Sequence, residues 1–196
     1  MRAAVMRNKE IVSDTLPDPV PGSGEVLVKT LACGICGSDL HMLRHGDKMM
    51  ESMRDAESPF VPNLGADVVM GHEFCAEVVE FGPNTVKQIA VGSRVVSMPI
   101  SFRGGRPQAV GYSEEVPGGY GELMVLTEPL LLEVPNGLAT EYAATTEPIA
   151  VGVHAVAKAN VTPRDAALVV GCGPVGLAVI AGLRLAGVET IVAADY

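Results

Sequence analysis

Residues 169–176 read VVGCGPVG, and no other stretch of the 196-residue chain restricts its fold as tightly. Gly171, Gly173 and Gly176 stand in Gly-x-Gly-x-x-Gly spacing, with Pro174 and Val175 between the last two. Alone this spacing is weak. Here it follows a β-type run, AALVV, and opens an apolar helical pattern that stops at Gly187. A second β-type run then ends on Asp195, 19 residues after Gly176. In that context each glycine has a task. Gly171 permits the tight turn, Gly173 leaves room for a pyrophosphate to approach the backbone, and Gly176 lets helix and strand pack closely. The helix N-terminus offers unpaired N–H groups to phosphate charge. The stretch therefore predicts strand, turn, helix and strand, the opening of an α/β dinucleotide-binding fold. Asp195, at the tip of the second strand, would accept bonds from a ribose hydroxyl and repel a 2′-phosphate, which favours NAD over NADP. The bland alternative is a glycine-rich corner with no ligand. Cys172 has no activating neighbour in the sequence and reads as a buried, inert thiol.

The chain before this point has a different texture. Short β-type runs alternate with turns supplied by many of the 22 glycines and 14 prolines. The clearest strand is EVLVKTLAC, with Val26, Val28 and Thr30 on one face and Leu27, Lys29 and Leu31 on the other. AEVVEFG, GSRVVSMPI, GGYGELMVL and LLLEVP continue the pattern. DKMMESMRDAE, residues 47–57, predicts a short helix whose methionines pack on a core. TEYAATTEPIAVGVHAVAKA then carries small and apolar residues at helical spacing. The expected order is a β-rich domain to about residue 150, a helical connection, and the start of an α/β domain. A net charge of −9 with no basic patch argues against nucleic acid and anionic membrane surfaces as partners. No apolar run is long enough to span a bilayer. The N-terminus lacks the pattern of a signal peptide, which predicts a cytoplasmic protein. In that setting four cysteines suggest thiols or metal ligands rather than a disulfide scaffold.

Two of those cysteines, Cys33 and Cys36, form a CxxC in CGICGSDLH. A redox pair would be expected at a helix N-terminus in a βαβ setting, and a structural zinc site would want a second pair. This stretch instead follows a strand in a β-rich domain, and the sequence holds no second pair, so one cysteine should matter more than the other. MGHEFC supplies His72 and Glu73, and TTEPIAVGVH supplies Glu147. One thiolate, one imidazole and one carboxylate, with a fourth position left open, describe a catalytic zinc site. Spacing alone leaves ordinary structural roles open for each of them.

GEVLVKTLACGICGSDLH, MGHEFCAEVVEFG, GSRVV, GGYGELMVL, EPIAVGVHAV and VVGCGPVGLAVI occur in one order along nearly the whole chain. In that order they resemble the zinc-dependent medium-chain alcohol dehydrogenases, most closely the sorbitol and threonine dehydrogenase branches. The resemblance implies a β-rich GroES-like catalytic domain with a connecting helix over 1–157, and a partial Rossmann domain over 158–196. It implies Cys36 as the zinc thiolate, His72 as the imidazole, and Glu73 and Glu147 as the carboxylates between which the direct ligand is chosen. Ser38 matches the hydroxyl that receives the substrate proton, and His41 the distal member of the proton relay. Cys33 matches no ligand position. The implied activity is NAD-linked oxidation of a small alcohol or polyol to a carbonyl by a homo-oligomer, with one catalytic zinc.

Two departures from the family pattern stand out. The segment SMPISFRGGRPQAVGYSEEVPGGYG carries none of the four cysteines that bind a structural zinc in many relatives, so no structural zinc is expected. And 35 residues separate Cys36 from His72, an insertion expected to reshape the substrate entrance. A six-stranded dinucleotide fold has strand order 3-2-1-4-5-6, of which this chain supplies strand 1, its helix and strand 2. The sequence thus reads as the N-terminal part of a longer dehydrogenase, able to hold the adenosine half of NAD and unable to transfer hydride by itself. A non-catalytic, zinc-binding or self-associating module is the competing class. A zinc-free reductase of the same superfamily is opposed by Cys36, His72 and Glu73 together.

Overall fold

The computed structural model describes residues 1–135 and 137–196. Contacts divide it into two compact units, Met1–Ala144 and Thr145–Tyr196.

In the first unit, β1 (Arg2–Arg7) and β2 (Glu10–Thr15) form a hairpin, followed by β3 (Glu25–Cys33), α1 (Gly37–Asp55), β4 (Val68–Val69) and β5 (Phe74–Phe81). Then come β6 (Arg94–Ser97), β7 (Ile100–Ser101), β8 (Gln108–Ala109), β9 (Leu123–Thr127), β10 (Leu131–Glu133) and the short helix α2 (Thr140–Ala144). Five strands make an antiparallel sheet in the order β10-β6-β5-β3-β9, and β2-β1-β4 make a second antiparallel sheet. β3 lies between β5 and β9. Its Val26 and Val28 are fully buried with Val78, Val95, Met124 and Leu126, as period-two alternation requires of a strand with one face on the core. Leu27 is buried as well, because β3 is central rather than half-solvated. The register between β3 and β5 slips twice, between Leu27 and Val28 and between Thr30 and Ala32. The second irregularity falls just before Cys33 and re-aims the chain into the turn that starts α1.

That helix corrects the expected helix at 47–57. It begins ten residues earlier, at Gly37, and bends at His45, whose φ of −133° leaves the helical region. Gly46 looks like a helix breaker in sequence. Here it is a contact residue: a Cβ on it would stand 2.8 Å from Leu64 Cδ1. Met42 is fully buried with Met6, Val68 and Met70, and Met49 packs against the same cluster.

The second unit contains α3 (Thr146–Ala159), β11 (Ala166–Val170), α4 (Pro174–Leu185) and β12 (Thr190–Ala194). β11 and β12 pair in parallel across the α4 connection, the arrangement the glycine pattern predicts. Val156, Val169, Leu183 and Val188 form its core. α3 buries Pro148, Gly152 and Val156, one residue per turn, and Gly152 lets it approach α4 so closely that a Cβ there would meet Ala178 Cβ at 2.5 Å. The sequence boundary at 157/158 and the contact boundary at 144/145 differ by this helix, which packs on α4.

Candidate metal centre

The site in the first unit begins where β3 ends. The Gly34 N–H donates to Glu73 O at 2.7 Å, which ties the turn after β3 to the start of β5. A Cβ at Gly34 would lie 2.3 Å from Glu73 Oε2, so the glycine makes room for that carboxylate. Cys36 then caps α1: the Asp39 N–H donates to Cys36 O at 3.1 Å, and the Cys36 N–H donates to Asp39 Oδ2 at 3.0 Å. This reciprocal cap is the local reason the helix starts here.

His72 is placed by backbone packing. Gly71 has φ +96°, in the left-handed region, and a Cβ on it would meet Cys33 Sγ at 2.8 Å and Tyr120 N at 2.9 Å. The Gly118, Gly119 and Tyr120 N–H groups donate to Val69 O, Gly71 O and Met70 O at 2.8, 2.8 and 2.9 Å. A Cβ on Gly118 would come within 2.3 Å of Gly71 O, and one on Gly119 within 2.6 Å of Cys33 Sγ. Glycines thus form a floor without side chains beneath His72.

On this floor Cys36 Sγ, a His72 ring nitrogen and a Glu73 carboxylate oxygen all lie within 4.8 Å of one another. His72 and Glu73 are buried and Cys36 half-buried. His72 Nδ1 stands 3.4 Å from Asp39 Oδ1. A proton on Nδ1 facing that carboxylate makes Nε2 the ligand atom, the usual support of a metal-binding histidine. Asp39 also accepts hydrogen bonds from the Tyr112 hydroxyl at 2.9 Å and the Tyr120 hydroxyl at 2.8 Å. Burial pushes the Asp39 carboxyl up, but its bonds from His72, Tyr120 and Tyr112 outweigh this and hold it below the ordinary carboxylate range. Burial pushes the Cys36 thiol up, opposed by hydrogen bonds with Ser38. A cation is what would favour its thiolate. A thiol, an imidazole backed by a carboxylate, and a second carboxylate, gathered away from water, fit a zinc ion by donor type and number.

Cys33 lies outside this group. Its Sγ faces Gly34 O at 3.4 Å, and burial raises its thiol to about 12. The Ser38 hydroxyl stands 2.8 Å from the Tyr112 hydroxyl. His41 is exposed, its Nδ1 2.9 Å from Gly37 O on its own helix. Among the described residues no hydrogen bond joins Ser38 to His41. Glu147 is half-buried in the first turn of α3, in the second unit. A cavity of about 240 Å³ opens beside His72, with Phe60, Pro99, Ile100, Ala109, Val110 and Tyr112 as its other walls. Phe60 comes from the long stretch between Cys36 and His72.

Sequence reasoning missed Asp39, Tyr112, Tyr120 and Phe60. Asp39 had a local signal, its place three residues after the helix cap. The other three carry none, since they reach the site only through the fold.

In the second unit the glycine turn is open where a ligand would need it. Gly171 has φ +92°, and a Cβ on Gly171 or Gly173 would meet nothing within 4 Å. A Cβ on Gly176 would come within 1.9 Å of Gly171 O, so this glycine brings α4 onto the turn. Pro174 opens α4, and Val175 beside it is exposed. Asp195 accepts from the Cys172 N–H at 2.6 Å and from the Tyr196 N–H at 2.7 Å, which holds its carboxyl below the usual range. It therefore sits over the turn as a carboxylate. Cys172 is half-buried rather than fully buried, because its turn lies at the open end of the strands.

Residues 22–136 match the family described as the alcohol dehydrogenase GroES-like domain. The chain is 38% identical over 204 residues to the (R,R)-butanediol dehydrogenase of Bacillus subtilis (strain 168), covering 100% of this chain and 58% of that protein. It is 34% identical over 209 residues to the sorbitol dehydrogenase of the same organism, covering 100% and 56%. Among solved structures, 2R,3R-butanediol dehydrogenase from Bacillus subtilis superposes with a TM-score of 0.81 at 36% identity, covering 98% of this chain and 57% of that one. A candidate zinc-binding dehydrogenase from Sinorhizobium meliloti 1021, bound to NADP, gives 0.79 at 30% identity, covering 98% and 55%. The chain thus spans little more than half the length of each of these relatives.

Proposed function

Because this chain belongs to the zinc-type medium-chain alcohol dehydrogenase family, we propose that it holds the metal centre and part of the cofactor site of an oxidoreductase that oxidises a small alcohol or polyol to a carbonyl. The observation that carries this reading is the convergence of Cys36, His72 and Glu73 from two segments to within 4.8 Å of one another, two of them buried and Cys36 half-buried. These three would hold one zinc ion, with Glu147 as the family's further carboxylate. When bound, zinc supplies Lewis acidity and the nicotinamide accepts hydride.

The chain's own residues do the rest. The apolar walls beside His72 exclude water and seat a carbon skeleton. The Ser38 hydroxyl takes the hydroxyl proton of the substrate and releases its own, which His41, on the exposed face of α1, hands on to solvent. Asp39 fixes the His72 ring and the helix cap together. The turn Gly171–Gly176 takes the pyrophosphate, and Asp195 takes the adenosine ribose, its charge favouring NAD over NADP. No structural zinc is needed to hold the lobe that follows β6. The Arg103 guanidinium donates to both oxygens of buried Glu25, at 3.0 and 2.5 Å, and to Val20 O at 2.8 Å. The reading has the protein act in the cytoplasm as a homo-oligomer. No helix among the described residues is long and apolar enough to cross a membrane.

Elemental analysis of the purified chain tests the centre. About one zinc per chain, lost in Cys36→Ser, is expected. A metal-free wild type, or zinc retained by Cys36→Ser, would overturn it. A non-catalytic, self-associating module is the second reading, favoured by the apolar side chains that the second unit exposes on β11 and β12.

A further inference from the structure

We propose that Phe60 is a specificity-determining residue: its ring partitions the apolar cavity beside His72 from a second, polar cavity, and so limits the centre to short, apolar alcohols. The inference rests on the zinc-centre reading above and chooses between its two substrate classes. The second cavity, of about 170 Å³, lies between the stretch that precedes His72 and the loop that carries Tyr112. Asn63, Arg106, Gln108 and Glu114 are among its walls. In the apolar cavity, of about 240 Å³, His72 and Tyr112 are the only polar side chains among the described residues. Three residues line both cavities: Phe60, Ala109 and Tyr112. Ala109 is too small to divide them. Tyr112 is tied down by its hydroxyl, which donates to Asp39 Oδ1 at 2.9 Å. Phe60 is the large member of the three with no polar group to engage elsewhere.

Phe60 is held from both sides. It stands between Pro59 and Pro62 in the run SPFVPN, where the two prolines remove much of the loop's freedom. Its N–H donates to Ser58 Oγ at 3.2 Å. Three residues on, Asn63 Oδ1 accepts from the Gly65 N–H at 3.1 Å, and the Asn63 amide donates to Glu114 Oε2 at 2.9 Å. That second bond ties the stretch to the opposite loop. Leu64 packs on the cluster of Met42 and Met70. Phe60 is thus a wall rather than a free flap. Its consequence follows from the two linings. A cavity of about 240 Å³ falls below the usual span of about 300–1,000 Å³ for ligand pockets, whereas the two cavities joined would fall within it. A polyol confined beside His72 would bury hydroxyls against Pro99, Ile100 and Val110, whose side chains offer no partner. Polar groups buried in that way are disfavoured. Groups able to pair with them stand in the other cavity, across Phe60.

The test uses the 196-residue chain loaded with Co²⁺ and three hydroxamates, whose common head binds the metal and shifts its visible spectrum: acetohydroxamate, butanohydroxamate and gluconohydroxamate. The wild type should bind butanohydroxamate more tightly than acetohydroxamate, by about three- to fourfold per added methylene. It should bind gluconohydroxamate at least about tenfold more weakly than butanohydroxamate. Phe60→Ala joins the cavities. It should tighten gluconohydroxamate about tenfold, the worth of one hydrogen bond gained, and leave acetohydroxamate within about twofold. A merely structural role for Phe60 would move all three probes alike. A wild type that binds gluconohydroxamate as tightly as butanohydroxamate would overturn the partition and leave the metal centre standing. So would a Phe60→Ala chain with an unchanged ratio of gluconohydroxamate to acetohydroxamate affinity. If Phe60→Ala does not fold, Phe60→Leu opens a narrower passage: the same ratio should rise, and a constant ratio would end the proposal. A wild-type chain that takes up no Co²⁺ overturns the centre and, with it, this inference.

Discussion

Asp39 is the residue on which the site turns. It is 2% exposed, and its two oxygens join the cap of α1, the His72 ring and two tyrosines. Asp39→Asn keeps the shape, removes the charge, and sets an amide NH₂ against groups that are themselves donors. The expected cost is about 2 kcal/mol of stability and a roughly 10–100-fold loss of zinc affinity, read by urea unfolding and by competition with a chelator. The pH dependence has a definite sign. The folded-state pKa of Asp39 lies below the unfolded one, so its contribution is complete above the ordinary range near 3.9 and fades as pH falls through the folded value. The stability gap between wild type and Asp39→Asn should stay constant from pH 7 to about pH 5 and shrink below about pH 4. A gap that widened in acid would refute this. Cys36, His72 and Glu73, whose donor atoms the fold brings together, were singled out through the resemblance carried by their short motifs. Asp39 was overlooked beside them because its importance lies in partners 33, 73 and 81 positions away.

At the scale of elements, glycines decide two packings that propensity alone would misjudge. Gly152 lies inside α3, where alanine ordinarily stabilises by up to about 1 kcal/mol. Here a Cβ would press on Ala178 Cβ at 2.5 Å and on the α4 backbone at 2.7 Å. Gly152→Ala should therefore destabilise, by about 1–3 kcal/mol, measurable as a lower thermal midpoint of the second unit. A stabilised variant would mean the helices separate without cost. Gly46 explains why α1 was only half legible. The sequence shows a glycine after His45 and invites a helix start at Asp47. The reciprocal cap at Cys36 and Asp39, with Met42 buried one turn on, carries the helix from Gly37 instead. The strands were easier. Alternation in β3 and the run-turn-run pattern of β11, α4 and β12 are local signals, whereas the register slips between β3 and β5 depend on partner residues 43 to 53 positions downstream.

The whole molecule divides into two compact units. The first buries its strands and α1 in several apolar clusters. The second exposes Leu168, Val170 and Val192 from its strands, with Val170 at 76% exposure, and β11 pairs only with β12 among the described residues. Open edges and bare apolar strands promote association. Sedimentation velocity should show the chain self-associating with rising concentration, and Leu168→Lys/Val170→Lys should shift it toward monomer. A wild-type chain that stays monomeric at high concentration would contradict this. The glycine floor beneath His72 bears on how the first unit comes together in time. Gly71, Gly111 and Gly118 meet backbone to backbone, so the pocket cannot be approximated early by loosely packed side chains. Its donors lie 36 positions apart, and its floor draws on residues 47 positions further on. Such long-range closure belongs late on a folding route. Metal capture then works as a clock for the last step of assembly: an ion added to a refolding chain should lock the finished unit without hastening the collapse that precedes it.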